Sequence, residues 1–218
     1  MTPKSFQLSS ELHEYLLAHS TPIDDVQKAL IAETEALGGI SRMQVSPEQG
    51  ALLTILTELV GATNAVEVGT FTGYSSLCIS RGLAPGGRLL CCDVSEEWTA
   101  IARRHWEQAG VDDRIDLRIA PALDTLQSLP VDTTIDVAFI DADKPGYVGY
   151  VGELVPRMRP GGLLLIDNVL WSGNVADPSF TDADTEAIRR CNDIVVADER
   201  LEVVMLPVAD GLTIARRR

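Results

Sequence analysis

Three oxygen-bearing side chains, Asp141, Asp167 and Asn168, stand at the ends of two short apolar runs, 135–140 and 162–166. Two carboxylates and an amide make a hard donor set. Magnesium prefers such oxygen ligands, binds few protein groups and keeps positions open to water or substrate. Lys144 closes the run D-A-D-K at 141–144. An ammonium beside a dication has its pKa lowered by like-charge repulsion, which suits a base working near neutral pH. Ordinary alternatives stand beside each: Asp-Asn after a strand is common turn chemistry, Asp143 either contributes or caps the next helix, and a lysine here also suits a plain surface.

A second constellation lies earlier, in the run V-E-V-G-T-F-T-G-Y-S at 66–75, where a β-branched stretch stops at Gly69, passes Gly73 and enters an apolar helical pattern. Such a strand-to-helix loop lies at the carboxyl edge of an open α/β sheet, and its glycines let backbone amides approach a ligand closely. Gly69 and Gly73 are spaced G-x-x-x-G, which fits neither the dinucleotide fingerprint nor the phosphate loop. The carboxylate of Glu67, just before the first glycine, repels phosphates and suits a sulfonium or ammonium ligand, or else it pairs locally. Asp93 ends the next apolar run and is placed to take both hydroxyls of a ribose, as any adenosine-bearing cofactor needs, or to cap a helix. His13, His19 and His105 fall in helices away from these strand tips, so no histidine-based nucleophilic arrangement is expected.

The elements that must position these groups follow from periodicity. Apolar residues at helical spacing predict helices over 9–20 and 24–37, the second ended by Gly38-Gly39. Ser46, Pro47 and Gln49 form a helix start, with Ser as N-cap, Pro at the first position and Gln three residues after the cap, opening a helix to about Val60. Met43 and Val45 lie on a segment that can fold over the glycine loop. Strands are expected from Ala65, over 88–93, 115–119, 135–140 and 162–166. Helices are expected over 75–83, 95–109, after Ala120-Pro-Ala122, and over 147–158. Near-continuous apolar strands alternating with helices imply a parallel sheet covered on both faces. The runs 201–206 and 212–215, joined through Ala209-Asp-Gly211, predict a terminal hairpin with one antiparallel strand.

At 218 residues and 45% hydrophobic content, one globular unit over 1–218 is expected. The formal charge of −14, from 32 acidic against 18 basic residues, lacks the footprint of a nucleic-acid or anionic-membrane binder. Cys78, Cys91, Cys92 and Cys191 show no zinc spacing and read as reduced core residues of a cytoplasmic protein. No apolar run approaches the roughly 18 residues of a membrane span, and no export is expected.

Taken together, V-E-V-G-T-F-T-G-Y-S at 66–75, D-A-D-K at 141–144 and D-N-V-L-W-S-G at 167–173 resemble the cation-dependent, S-adenosylmethionine-dependent O-methyltransferases, the group that includes the catechol and caffeoyl-CoA enzymes. The resemblance runs from about Met43 to Arg216. It implies a Rossmann-like class I methyltransferase fold with seven strands, and a homodimer whose residues 1–45 form a helical segment near the site, as lid or dimer contact. It also implies that Glu67, Gly69 and Ser75 hold the methionine portion of the cofactor, Asp93 the ribose, and that Ala122 lies by the adenine. Met43, Val45, Asp141 and Tyr150 match further cofactor contacts. By the same resemblance Asp141, Asp167 and Asn168 bind a divalent ion, in all expectation Mg2+, Lys144 helps deprotonate a small phenolic acceptor, and Trp171 borders it. The segment 172–184 is acidic and lacks the basic and aromatic residues that plant caffeoyl-CoA enzymes offer a large anionic thioester, so a catechol-like vicinal diol is the expected substrate. Two other classes share parts of the pattern. A nicotinamide-dependent oxidoreductase would want G-x-G-x-x-G, and a catalytically idle S-adenosylmethionine-binding protein would not need Lys144.

Overall fold

The apolar runs become strands of one sheet in a computed structural model that describes residues 8–218. Its strands are β1 (Asn64–Val68), β2 (Arg88–Asp93), β3 (Ile115–Ile119), β4 (Ile135–Ile140), β5 (Met158–Ile166), β6 (Leu201–Leu206) and β7 (Leu212–Arg217). They lie in the order β3-β2-β1-β4-β5-β7-β6, with β1 to β5 parallel and β7 antiparallel between β5 and β6. The expected parallel sheet closed by a hairpin is what forms. Strand order reverses between β1 and β4, and ligands of open α/β sheets bind at that switch point.

Both faces are covered, which is why β4 is buried at every residue and β1 at four of its five. One face packs under α3 (Pro47–Val60), α4 (Tyr74–Gly82) and α5 (Glu96–Ala109), through Leu53, Leu77, Trp106 and Phe139. The other packs under α6 (Ala122–Ser128), α7 (Tyr147–Leu154) and α8 (Ala183–Ala197), through Leu126, Tyr147, Leu154 and Ile166.

Ahead of the sheet lie α1 (Ser10–Ala18) and α2 (Asp25–Glu35). α2 starts with a full capping box: Gln27 N donates to Asp24 Oδ1 at 2.9 Å and Asp24 N to Gln27 Oε1 at 3.1 Å. It packs on α4 and α5, with Thr34 Oγ1 donating to Thr72 Oγ1 of the glycine loop at 2.9 Å. This part of the N-terminal segment forms the wall behind the glycine loop. Residues 1–7 of the expected 1–45 segment lie outside the described residues.

Two boundaries differ from expectation. α7 stops at Leu154 instead of Met158, because Pro156 takes the start of a 3-10 turn over Val155–Arg157, and a proline inside a helix would lose a hydrogen bond. β5 then begins at Met158 instead of Gly162, and a register shift opposite β4 takes up the intervening residues, with Gly161 at φ +82°. α8 is an element that the sequence pattern does not predict, although Ala187, Ile188, Cys191 and Val195 carry its buried stripe.

Candidate active site

At the carboxyl ends of β1, β2, β4 and β5 a cleft of about 1340 Å³ opens. Its first wall is the glycine loop. Gly69 has φ +91°, and a Cβ there would lie 2.0 Å from the Asp141 carbonyl oxygen, so only glycine lets β1 turn this close to the β4 tip. Thr70 N and Phe71 N both donate to Asp93 Oδ2, at 2.9 and 2.8 Å, while Ser95 N donates to Asp93 Oδ1 at 2.8 Å. Asp93 thus holds the loop in shape from the end of β2 while lining the cleft.

Glu67 is placed otherwise than its charge suggested. It is fully buried and does not line the cleft. Ser76 Oγ donates to its Oε2 at 2.5 Å and Cys91 Sγ lies 3.4 Å from the same atom, while Oε1 has no partner. Burial pushes the Glu67 carboxyl up to about 7, against the pull of the Ser76, Ser75, Cys91 and Thr70 side chains. Glu67 is therefore a buried strut beneath the loop that holds its proton well above the usual carboxylate range, not the exposed fixed charge expected.

Every other residue expected to hold cofactor, metal or acceptor lines the cleft, whereas Gly73 of the loop does not. Met43 and Val45 lie along its lip before α3, Ser75 in the first turn of α4, and Ala122 at the start of α6. Tyr150 OH donates to Asp143 Oδ1 at 2.6 Å, and Asp143 also caps the 3-10 turn Lys144–Gly146 by accepting from Gly146 N at 3.1 Å. The capping alternative for Asp143 is what forms. His13, His19 and His105 are absent from the lining.

The trio meets on the cleft floor because β4 and β5 are paired neighbours, with Ile140 opposite Ile166. Lys144 Nζ sits among its members, 2.6 Å from Asn168 Oδ1 and 3.3 Å from Asp141 Oδ1, and donates to Tyr147 OH at 2.7 Å. Lys144 is 8% exposed, which sets aside the surface-lysine alternative. Burial raises the carboxyls of Asp141 and Asp167, and the negative charge of Asp141 adds to the rise at Asp167. Among the described residues no group of three or more His, Cys, Asp and Glu side chains is arranged to hold a metal; the trio brings two carboxylates and one amide.

The far wall is strained. Trp171 and Ser172 have φ of +47° and +54° in the turn Trp171–Ala176, and the β6–β7 loop holds them there, through Ser172 N to Asp210 Oδ1 at 2.5 Å and Leu170 N to Asp210 O at 3.0 Å. The Trp171 ring centroid lies 5.6 Å from Lys144 Nζ. Sequence reasoning missed Asp210 and Gln49 as parts of the site. Asp210 belonged to a hairpin loop without chemical pattern, and Gln49 looked like a cap residue.

A family model described as O-methyltransferase matches residues 18–218. The chain belongs to the O-methyltransferase family. Among relatives of this S-adenosylmethionine-dependent class, a probable caffeoyl-CoA O-methyltransferase of Dictyostelium discoideum is 39% identical over 97% of this chain and 94% of its own. The caffeoyl-CoA O-methyltransferase of Petroselinum crispum is 35% identical, over 98% and 93%. The fold of the Bacillus cereus O-methyltransferase, solved in complex with SAH, superposes with a TM-score of 0.88 at 32% identity, covering 95% of this chain and 97% of that one. TomG from Streptomyces achromogenes, solved with SAM, gives 0.88 at 28% identity, over 95% and 96%. The family fold is the one expected, and a nicotinamide oxidoreductase is set aside.

Proposed function

We propose that this O-methyltransferase moves the methyl group of S-adenosylmethionine to one hydroxyl of a catechol-like small molecule, with a divalent cation, Mg2+, at Asp141, Asp167 and Asn168. The observation that carries the proposal is the convergence of Asp141 Oδ1 and Asn168 Oδ1 on Lys144 Nζ, with Asp167 lining the same cleft, beside a glycine loop built for close backbone approach. The donors suit the ion: all are hard oxygens, and two buried carboxylates that repel each other's ionisation gain from a dication between them. When bound there, such an ion lowers the pKa of a hydroxyl that reaches it.

The chain's own groups supply the rest. Gly69 and Ser75 receive the methionine portion of the cofactor, Asp93 the ribose, and Ala122 flanks the adenine, with Met43, Val45 and Tyr150 closing the sides. Glu67 supports the loop from beneath. Lys144 steadies the forming phenolate as the ammonium or, after releasing a proton to solvent, takes the acceptor's hydroxyl proton at Nζ, and Trp171 bounds the acceptor opposite. The phenolate oxygen then attacks the sulfonium methyl in line; the new O–C bond forms as the S–C bond breaks, leaving S-adenosylhomocysteine.

A small diol is favoured over an anionic thioester. Asp184 and Asp210 line the cleft, and Arg189 spends its guanidinium on Asn174 O, Val175 O, Asp177 O, Phe180 O and Glu186, which leaves Arg42 at the lip as the one arginine of the described lining. Mass spectrometry of a catechol panel that includes caffeoyl-CoA, with S-adenosylmethionine and with or without Mg2+, tests this. Metal-dependent methylation of small catechols is expected; turnover confined to the thioester would overturn the acceptor class.

A further inference from the structure

Gln49 has the spacing of a capping-box residue and does not use it. Its backbone N donates to the N-cap Ser46 Oγ at 3.4 Å, but its side chain turns away, and Nε2 donates to Asp167 Oδ2 at 2.8 Å. Gln27, at the same position in α2, does reach back to its cap. The capping-box expectation at α3 is corrected: Asp167 has taken the Gln49 side chain.

The cost of this choice is visible. Gln49 is 1% exposed and lines the cleft, and its Oε1 is buried without a hydrogen-bond partner. An orphaned buried carbonyl is destabilising, and an apolar side chain of the same length would avoid it. What the amide does in exchange is bind one carboxylate. Asp167 Oδ1 accepts from Asn168 N at 2.7 Å, so with Gln49 on Oδ2 both oxygens are held and the carboxylate plane is fixed. Lys144 Nζ makes its bonds to Asp141, Asn168 and Tyr147, leaving Gln49 as the side chain that orients Asp167.

We infer that Gln49 is a positioning residue, which holds Asp167 in the orientation that lets it share one divalent cation with Asp141 and Asn168. The inference rests on the metal reading above. Groups that orient a ligand from behind typically change metal affinity by about 10- to 100-fold when removed.

The test uses Gln49→Met, which keeps length and loses the donor, and Gln49→Asn, which keeps the amide and loses reach. Calorimetry measures Mg2+ binding to each protein loaded with S-adenosylhomocysteine, and separately the binding of S-adenosylmethionine. The expected result is Mg2+ affinity at least about tenfold weaker in both variants, with S-adenosylmethionine affinity within about twofold of wild type. Wild-type Mg2+ affinity in both variants would overturn the role of Gln49 alone. Parallel loss of cofactor binding and a fall in Tm would make Gln49 a structural prop and also overturn it. A wild-type protein that binds no Mg2+ would remove the metal reading and this inference together.

Discussion

Lys144 Nζ lies 2.6 Å from Asn168 Oδ1, so the ammonium of one loop bridges the tips of β4 and β5. Tyr147 OH and Asp141 Oδ1 fix it from two further sides. A positioned acid–base group contributes about 10²- to 10⁴-fold to rate. Lys144→Met is therefore expected to lower kcat by at least about a hundredfold while leaving S-adenosylmethionine affinity within about threefold. Steady-state kinetics and calorimetry on one preparation read both, and full activity in this variant would exclude a chemical role for the amine.

Glu67 makes a prediction about pH. Its carboxyl titrates near 7 when folded and near 4.5 as a free side chain, so between those values the folded state holds a proton that the unfolded state has lost. Stability must then fall as pH rises through this window, by about 3 kcal/mol in total, and level off above it. In Glu67→Gln the contribution is absent. Denaturant unfolding from pH 4.5 to 8 should show the variant gaining on wild type by that amount; parallel curves would contradict burial as the cause of the shift.

Two glycines with positive φ should respond differently to alanine. At Gly69 the new Cβ meets the Asp141 carbonyl at 2.0 Å, whereas at Gly110, with φ +66°, nothing lies within 4 Å. Gly110→Ala should cost about 1 kcal/mol from the left-handed backbone alone, and Gly69→Ala several-fold more, with loss of cofactor binding, because the tips of β1 and β4 are forced apart. Thermal melts of the pair decide it, and equal costs would show that the close approach is not what constrains Gly69.

Asp93 serves the loop as well as any ribose. Three backbone amides donate to it, and bonds to a charged acceptor contribute about 1.5–3 kcal/mol each. Asp93→Ala is expected to weaken S-adenosylmethionine binding by well over about tenfold and to lower Tm. Asp93→Asn, which keeps one carbonyl acceptor for Thr70 N and Phe71 N, should recover part of the Tm and little of the affinity. Full recovery of affinity by the amide would assign Asp93 to loop shape alone.

The sheet was legible because its strands are near-continuous apolar runs separated by helices with clear starts, and the trio was legible because strand ends carry ligand-binding residues in such sheets. Glu67 misled for a physical reason: its place in sequence fixes the strand position but not the face, and residues of one strand alternate between two covered faces. Gln49 misled because a local pattern, the capping box, competes with a partner just past β5, Asp167, that no local spacing reveals. α8 escaped notice because its acidic first turn, with Asp184 and Glu186, masks an apolar stripe that begins only at Ala187. The Asp210 contact joins two loops distant in sequence, and only the pairing of β7 with β5 brings them together.

The central claim, a divalent cation gathered by Asp141, Asp167 and Asn168 to drive methyl transfer, is tested most directly by removing the ion. Wild-type enzyme stripped with EDTA is assayed with S-adenosylmethionine and a catechol, then again after Mg2+ is restored. The account predicts that activity falls below about 1% of wild type and returns with the metal, and that Asp141→Ala and Asp167→Ala stay inactive in both conditions while cofactor binding stays partly intact. Unchanged turnover in the metal-free enzyme would contradict it.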